Sequence, residues 1–448
     1  MHLLTEKVLS ETGRGLNLTQ ADLSGLDLSG FDLRHAVLNR ASLYGTQLAK
    51  ANLTGASLVC AGMERTDFTE AVVTGAYVHA FAAQASTFTG ADMTGLVDST
   101  GALFHGCDLA GARLDDAELA GTTFYQCNLV ETRFQGTDLH GAVFNECRMD
   151  YAILGRAYLH DAMILRSSIR ELNLSHARGH GLVLRRPTAA DGLCLTNAHL
   201  PGLRLDQVRA RRLRAADLHA PGIDVLDCQL PEADFSHADL SGGRWAQVGL
   251  DGARLVGALL PDSSWRGVSA INADATQVTA EGLTAGECTF TDAVFIGLAG
   301  RYSTFRNCDF HCADLRSAYL YRATFVGDPP TSACLVGAQL DGANLTQAYL
   351  AADFTGASIR HGWAAYARVN QAIFERADLR GTSLFRASAV KTEFTGARLG
   401  GQYGVVFADR CPGLLDALHE SADPASKRVA ELVEELSELL TRDAGMST

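Results

Sequence analysis

The sequence predicts an all-β chain, a parallel β-solenoid of about nineteen four-sided coils followed by a short α-helical tail. Three observations predict it. A large apolar residue returns every five residues, from Leu18 through Leu23, Leu28 and Leu33, and the step hardly lapses before Phe407. Two places before each of these centres sits Ala, Ser, Thr or Cys, and two places after it Gly recurs. A helix would need apolar spacing near 3.6 and a long strand unbroken alternation, so a short strand followed by a turn is the element that fits.

Each block divides its duties by strand alternation. The small residue and the centre share an inward face, the residue between them points out, and the last two positions turn the corner. The corners Leu200-Pro201-Gly202 and Ala220-Pro221-Gly222 carry the signature of a type II turn. Pro presets the first central φ and Gly supplies the positive second one. Four corners close a coil of about twenty residues, and coils stacked at about 4.8 Å leave a narrow interior for centres and small residues. Blocks such as Ala21-Asp22-Leu23-Ser24-Gly25 and Ala51-Asn52-Leu53-Thr54-Gly55 resemble the pentapeptide-repeat family, whose motif is Ala-(Asp/Asn)-Leu-x-x. The resemblance spans roughly residues 16–407 and implies a right-handed quadrilateral β-helix, a rod of about 90 Å.

Composition changes at both ends. Residues 1–15 read as an N-terminal cap with a short helix over the first twelve, 16–407 as the β-helix with an irregular middle at 177–225, and 408–448 as a helical cap or dimerisation segment. Pro412 to His419 predicts a short helix, and Asp423-Pro424 opens a second with an N-cap and a proline at the first helical position. That helix places Val429, Leu432, Val433, Leu436, Leu439 and Leu440 on one face, with Glu431, Glu434, Glu435 and Glu438 mostly opposite. The stripe docks on the final coil or pairs with a second copy, giving a monomer or a C-terminal homodimer. The resemblance favours the pair, because fluoroquinolone-resistance members look like dimers joined through their C-terminal ends.

If about twenty residues make a coil, residues twenty apart stack. Cys107, Cys127 and Cys147 then form a buried column beside centres Phe104, Phe124 and Phe144, and Trp245 stacks on Trp265 where the wall should widen and could leave a groove. His140, His160 and His180 form an outward column close enough to share a metal or titrate together, weighed against solvated surface residues. Centres slip by one residue between Met93 and Phe104 and between Leu184 and Leu195, and back by one between Leu350 and Phe354. Leu213 and Leu218 sit off phase, and no long inserted loop is visible.

A net charge of -13 excludes a general nucleic-acid binder, and no apolar run is long enough for a membrane helix. Eleven scattered cysteines and an N-terminus without signal-peptide features predict reduced thiols and a cytoplasmic protein. Against the acidic background, Arg170 through Arg214 carries nine arginines and only Glu171, Asp191 and Asp206. Arg185, Arg186, Arg211, Arg212 and Arg214 are the candidate partner-binding residues, since guanidinium groups pair bidentately with carboxylate or phosphate; the alternative is pairing with neighbouring carboxylates. Cys308, His311 and Cys312 have metal-like spacing, but their side chains diverge. No nucleotide-binding, hydrolase or metalloprotease motif is present, so no catalytic residue, metal or cofactor is predicted.

Three functional readings follow. The first is a non-catalytic scaffold binding a protein partner. The second is protection of DNA gyrase or topoisomerase by duplex mimicry, the activity that the resemblance implies for resistance members. Duplex DNA carries one charge per about 1.7 Å of axis. Here Glu118 lies below Asp138, but Asp224 falls against Arg244 and Asp234 against Arg254, which suits ion pairing better. The third is an enzyme using the irregular middle or the histidine column, against which the five-residue phase sends most His and Asp residues to separate walls.

Overall fold

The computed structural model describes residues 14–329, 332–400, 407–409, 411–421, 424, 427, 428, 430 and 431. The expected N-terminal helix and the stripe of Val429, Leu432, Val433, Leu436, Leu439 and Leu440 lie outside them. The chain divides into two compact units, Met1–Asp234 and Phe235–Thr448.

The first unit is a four-sided parallel β-helix. Its opening coil pairs with the next at four points, Asn17 with Val37, Asp22 with Ser42, Asp27 with Gln47 and Asp32 with Asn52, one pair per wall. Backbone groups are satisfied between coils, as in Leu18 N–H to the Val37 carbonyl (2.7 Å) and Val37 N–H to the Leu16 carbonyl (2.8 Å). The type II corners form as predicted: Ala21 N–H closes on the Leu18 carbonyl at 3.0 Å, around Gln20 at a φ of 60°. One wall carries three-residue strands, nine of them from Gly62–Glu64 to Asp224–Leu226. The second unit repeats the plan, with six such strands from Arg244–Ala246 to Tyr349–Ala351 and a further pair, Ser388–Val390 and Phe407–Asp409. These strands number fewer than the nineteen coils expected, because the other walls, and some coils of this one, make single bridging residues.

The outward Asp or Asn of the motif has a structural duty that the period did not disclose. Its Oδ1 accepts the N–H two residues on, as from Asp22 to Ser24 (3.1 Å), Asp67 to Thr69 (2.8 Å) and Asp353 to Thr355 (2.9 Å). This is an Asx turn that fixes the entry to the corner. In many coils where the small slot holds a hydroxyl or thiol, that group donates to a carbonyl 23 residues earlier, the centre of the neighbouring coil, whereas Ser303 turns to the Gly300 carbonyl. Thr66 bonds Leu43 (2.6 Å), Thr137 bonds Leu114 (2.7 Å) and Cys127 bonds Phe104 (3.3 Å). These three buried groups are thereby paired without leaving the stack. Phe104, Phe124 and Phe144 stack at centroid spacings of 4.8 and 4.9 Å, nearly parallel.

The three slips fall in the expected intervals. Ladder partners shift from 20 to 21 apart at Ala82 and Leu103, again at Val183 and Arg204, and to 19 at Cys334 and Asp353. One insertion escaped the sequence reading: Thr324 pairs with Tyr349, 25 residues on. The extra residues, between Val326 and Ala333, equal one block in length and so leave the phase unchanged. Through 205–225 the five-residue step holds, because sizes are exchanged there. Leu213 and Leu218 fill the small slot while Ala210, Ala215 and Ala220 stand as centres, all fully buried. The short helix expected at Pro412–His419 runs over Leu414–His419. No helix among the described residues is long and apolar enough to cross a membrane.

Candidate functional site

The arginines of the basic island are separated by the coil. Arg185 ends the strand Val183–Arg185, and its Nε lies 2.8 Å from Oδ2 of Asp206, a carboxylate only 3% exposed. Arg186, at the following corner, donates to Gln207 at 2.8 Å. Arg211 and Arg212 form a different corner, where Arg211 meets Glu232 at 2.6 Å. The Arg211 hydrogen bond, with added charge from Arg212, lowers the Glu232 carboxyl below its ordinary range. Arg214, on the next wall, reaches Glu171 at 3.0 Å and the Gly192 carbonyl at 3.0 Å. Three of the five are thus paired with carboxylates, and the set does not share a face.

A different wall of the first unit gathers Arg178 with two histidines. Its ladder runs Tyr158, Arg178, His199, His219, with the last two rings stacked at 4.3 Å. Arg156 and His176 stand at successive turns of one flanking corner, and His160 and His180, with rings 4.7 Å apart, at the other. Three of the stretches that carry the chain across this wall, 153–160, 173–180 and 194–201, contain no Asp or Glu, while Asp138 and Asp217 stand on the coils at either end. Among the described residues no carboxylate lies within 4.0 Å of Arg156 or Arg178. Two shallow depressions, of about 210 and about 250 Å³, share Arg156 and His176; Asn173 and Ser175 line the first, Tyr158 and Arg178 the second.

The histidine column forms, with His140 and His160 rings 5.9 Å apart, and one ring nitrogen each of His160 and His180 is engaged. His160 Nδ1 accepts the His180 N–H at 3.3 Å, and His180 Nδ1 lies 3.4 Å from Asp161. Among the described residues no three His, Cys, Asp or Glu side chains are grouped to hold a metal. Chemically the wall offers guanidinium, imidazole and phenol groups that suit a carboxylate or phosphate. Counting charge along the chain from Arg170 to Arg214 missed Arg156; the twenty-residue register, which stacks Arg156 under His176 and Tyr158 under Arg178, was the signal that could have found it.

The family described as pentapeptide repeats (8 copies) matches residues 17–55, 46–79 and 365–401, and that described as pentapeptide repeat region matches 97–174. Pentapeptide repeats thus occupy residues 17–79, 97–174 and 365–401 of this chain. No curated protein matches it. Among solved structures, this pentapeptide-repeat protein is similar to QnrB1, a plasmid-mediated fluoroquinolone resistance protein, at 17% identity and a TM-score of 0.28, covering 44% of this chain and 93% of that one. Rfr23 from the cyanobacterium Cyanothece 51142 shares 23% identity over 30% of this chain and 90% of that one, with a TM-score of 0.21. HetL from the cyanobacterium Nostoc sp. strain PCC 7120, involved in heterocyst differentiation regulation, shares 17% identity over 95% of this chain and 97% of that one, with a TM-score of 0.14.

The remaining irregularities of this pentapeptide-repeat protein serve its interior. Trp245 and Trp265 are 1% and 4% exposed, with rings 5.7 Å apart. The widened wall forms a core irregularity rather than a ligand groove: an apolar void of about 20 Å³ lies beside Trp265, walled by Phe290, Phe295 and Leu298. Cys107, Cys127 and Cys147 are buried, as is Cys228, whose thiol burial pushes up to about 11. Of the metal-like trio, Cys308 is buried while His311 and Cys312 are exposed.

Proposed function

We propose that this protein is a non-catalytic scaffold that binds a protein partner through acidic groups, using the wall of Tyr158, Arg178 and His199. One observation carries the reading: in a chain of net charge -13, Arg156 and Arg178 face solvent on one wall with no carboxylate within 4.0 Å among the described residues, whereas Arg185, Arg211 and Arg214 are paired. An exposed guanidinium without a partner loses little water-screened attraction on binding and gains a bidentate one. The test is affinity capture with the full chain from its native lysate, beside Arg156→Glu with Arg178→Glu. A stoichiometric partner retained by the native chain and lost with the double variant supports the reading; equal capture by both sinks it.

Gyrase or topoisomerase protection by duplex mimicry is the competing reading. Two features weigh against it. Outward aspartates are committed to Asx turns, as at Asp22 and Asp67. Some are also interleaved with arginine on adjacent coils, as Asp92 with Arg113 (3.7 Å) and Asp224 with Arg204 (3.8 Å). A supercoiling assay with purified gyrase and a quinolone separates the two: relief of poisoning favours mimicry, and no effect at high protein concentration removes it.

A further inference from the structure

In the second unit, the stretches 299–306, 319–326, 344–351, 363–370 and 383–390 carry the chain across the same corner on five successive coils. Large apolar and aromatic rings stand in solvent along it: Trp363 is 63% exposed, Tyr302 48%, Tyr366 45%, Phe385 41% and Tyr319 41%. Arginines are threaded between them. The Arg301 guanidinium lies 5.3 Å from the Tyr302 ring and 5.8 Å from both Tyr319 and Tyr321. Arg322 lies 5.3 Å from Tyr321 and donates to Gln347 at 2.6 Å, and Arg386 lies 5.4 Å from Phe385 and 6.0 Å from Tyr366.

These contacts order the side chains without neutralising their charge. The five stretches hold Arg301, Arg306, Arg322, Arg368 and Arg386 and not one Asp or Glu. The carboxylate that does reach the edge is Glu281, on the preceding coil, 3.9 Å from Arg301. Trp, Tyr and Arg are the residues that dominate binding hot spots, and side chains already ordered lose less entropy on association. An edge so composed, in a chain of net charge -13, is complementary to an acidic surface with apolar side chains. Five coils span about 19 Å, the reach of an extended segment of about six residues. Stacking of nucleic-acid bases needs open ring faces, whereas Arg301 and Arg386 already occupy those of Tyr302, Tyr319 and Phe385.

We propose that this edge docks an extended acidic segment of a partner protein. The inference rests on the scaffold reading only in taking the protein to bind rather than to catalyse, and its residues belong to the other unit.

The test uses the full chain and three probes: a fluorescein-labelled hexapeptide alternating glutamate and leucine, its lysine counterpart, and single-stranded oligothymidylate. Of the three tryptophans, Trp245 and Trp265 are buried, so acrylamide quenching reports on Trp363. The glutamate peptide is expected to bind saturably and to protect Trp363. Arg322→Glu with Arg386→Glu should weaken it at least about tenfold. Both positions lie at φ near 55°, as do Glu131 and Glu146 at equivalent turns, so glutamate fits the backbone there, and an unchanged melting temperature checks it. No saturation at about 1 mM glutamate peptide, equal binding of the lysine peptide, tighter binding of oligothymidylate, or indifference to the double substitution each overturns the proposal. Protection of Trp363, which stands on this edge, keeps the fate of the edge separate from that of the first unit's wall.

Discussion

Arg178 stands directly above Tyr158 in a parallel ladder, one coil apart, on a wall whose neighbouring corners supply Arg156 and His176. The pair differs from Arg185 and Asp206, where the same residue type closes a buried carboxylate at 2.8 Å. Arginines of structural and of binding character are therefore distinguishable by substitution. Arg185→Ala should cost about 1–3 kcal/mol, since it leaves Asp206 buried and unpaired, the exposed half of the pair tempering the loss. Arg156→Ala and Arg178→Ala should each stay within about 0.5 kcal/mol. Melting temperatures of the three variants check the contrast.

Thiol reactivity should follow burial rather than spacing. Cys60 and Cys312 are exposed, while Cys107, Cys127, Cys147 and Cys228 are buried. Thiolate is the reactive form, and burial disfavours it. A chromogenic disulfide reagent should label Cys60 and Cys312 rapidly in the folded chain, and the four buried thiols only after denaturation. Peptide mapping identifies the sites.

The hydroxyls in the small slots should be worth about 1 kcal/mol each. Thr137→Val keeps the volume but removes the 2.7 Å bond to the Leu114 carbonyl inside a fully buried site. A lower melting temperature than that of the native chain is expected. Thr19→Val, at an exposed corner, should change it less.

Acid should weaken the Asp378 and Arg380 pair in a defined direction. The Arg380 hydrogen bond, at 2.6 Å, lowers the Asp378 carboxyl below its ordinary 3.8, with burial opposing. A depressed carboxylate contributes stability above its unfolded pKa and loses it as pH falls through the folded one. Asp378→Asn should therefore destabilise most at neutral pH, and the gap from the native chain should close as pH falls below about 4. Denaturation curves at several pH values measure it.

Much of the fold was legible because the five-residue step assigns each side chain to a wall, a corner or the interior. Phe104 under Phe124 and Cys107 under Cys127 follow from counting twenty. What stayed hidden had the same length or the opposite size from what the count expected. The insertion after Val326 preserves phase, with Asp328-Pro329-Pro330 as its one local cue. Leu213 beside Ala215 mimics a slip by exchanging large for small. The site was less legible, because charge was summed along the chain, whereas Arg156, His176 and Arg178 converge through stacking and the aromatic edge from Arg301 to Arg386 spans five separate coils.

The most direct test of the scaffold account is a photocrosslinking amino acid placed at position 158, between Arg156 and Arg178, in the full chain and irradiated in native lysate. The account predicts one discrete adduct, competed by unlabelled native protein but not by protein carrying Arg156→Glu and Arg178→Glu. No adduct, or competition by the double variant equal to that by native protein, would contradict it.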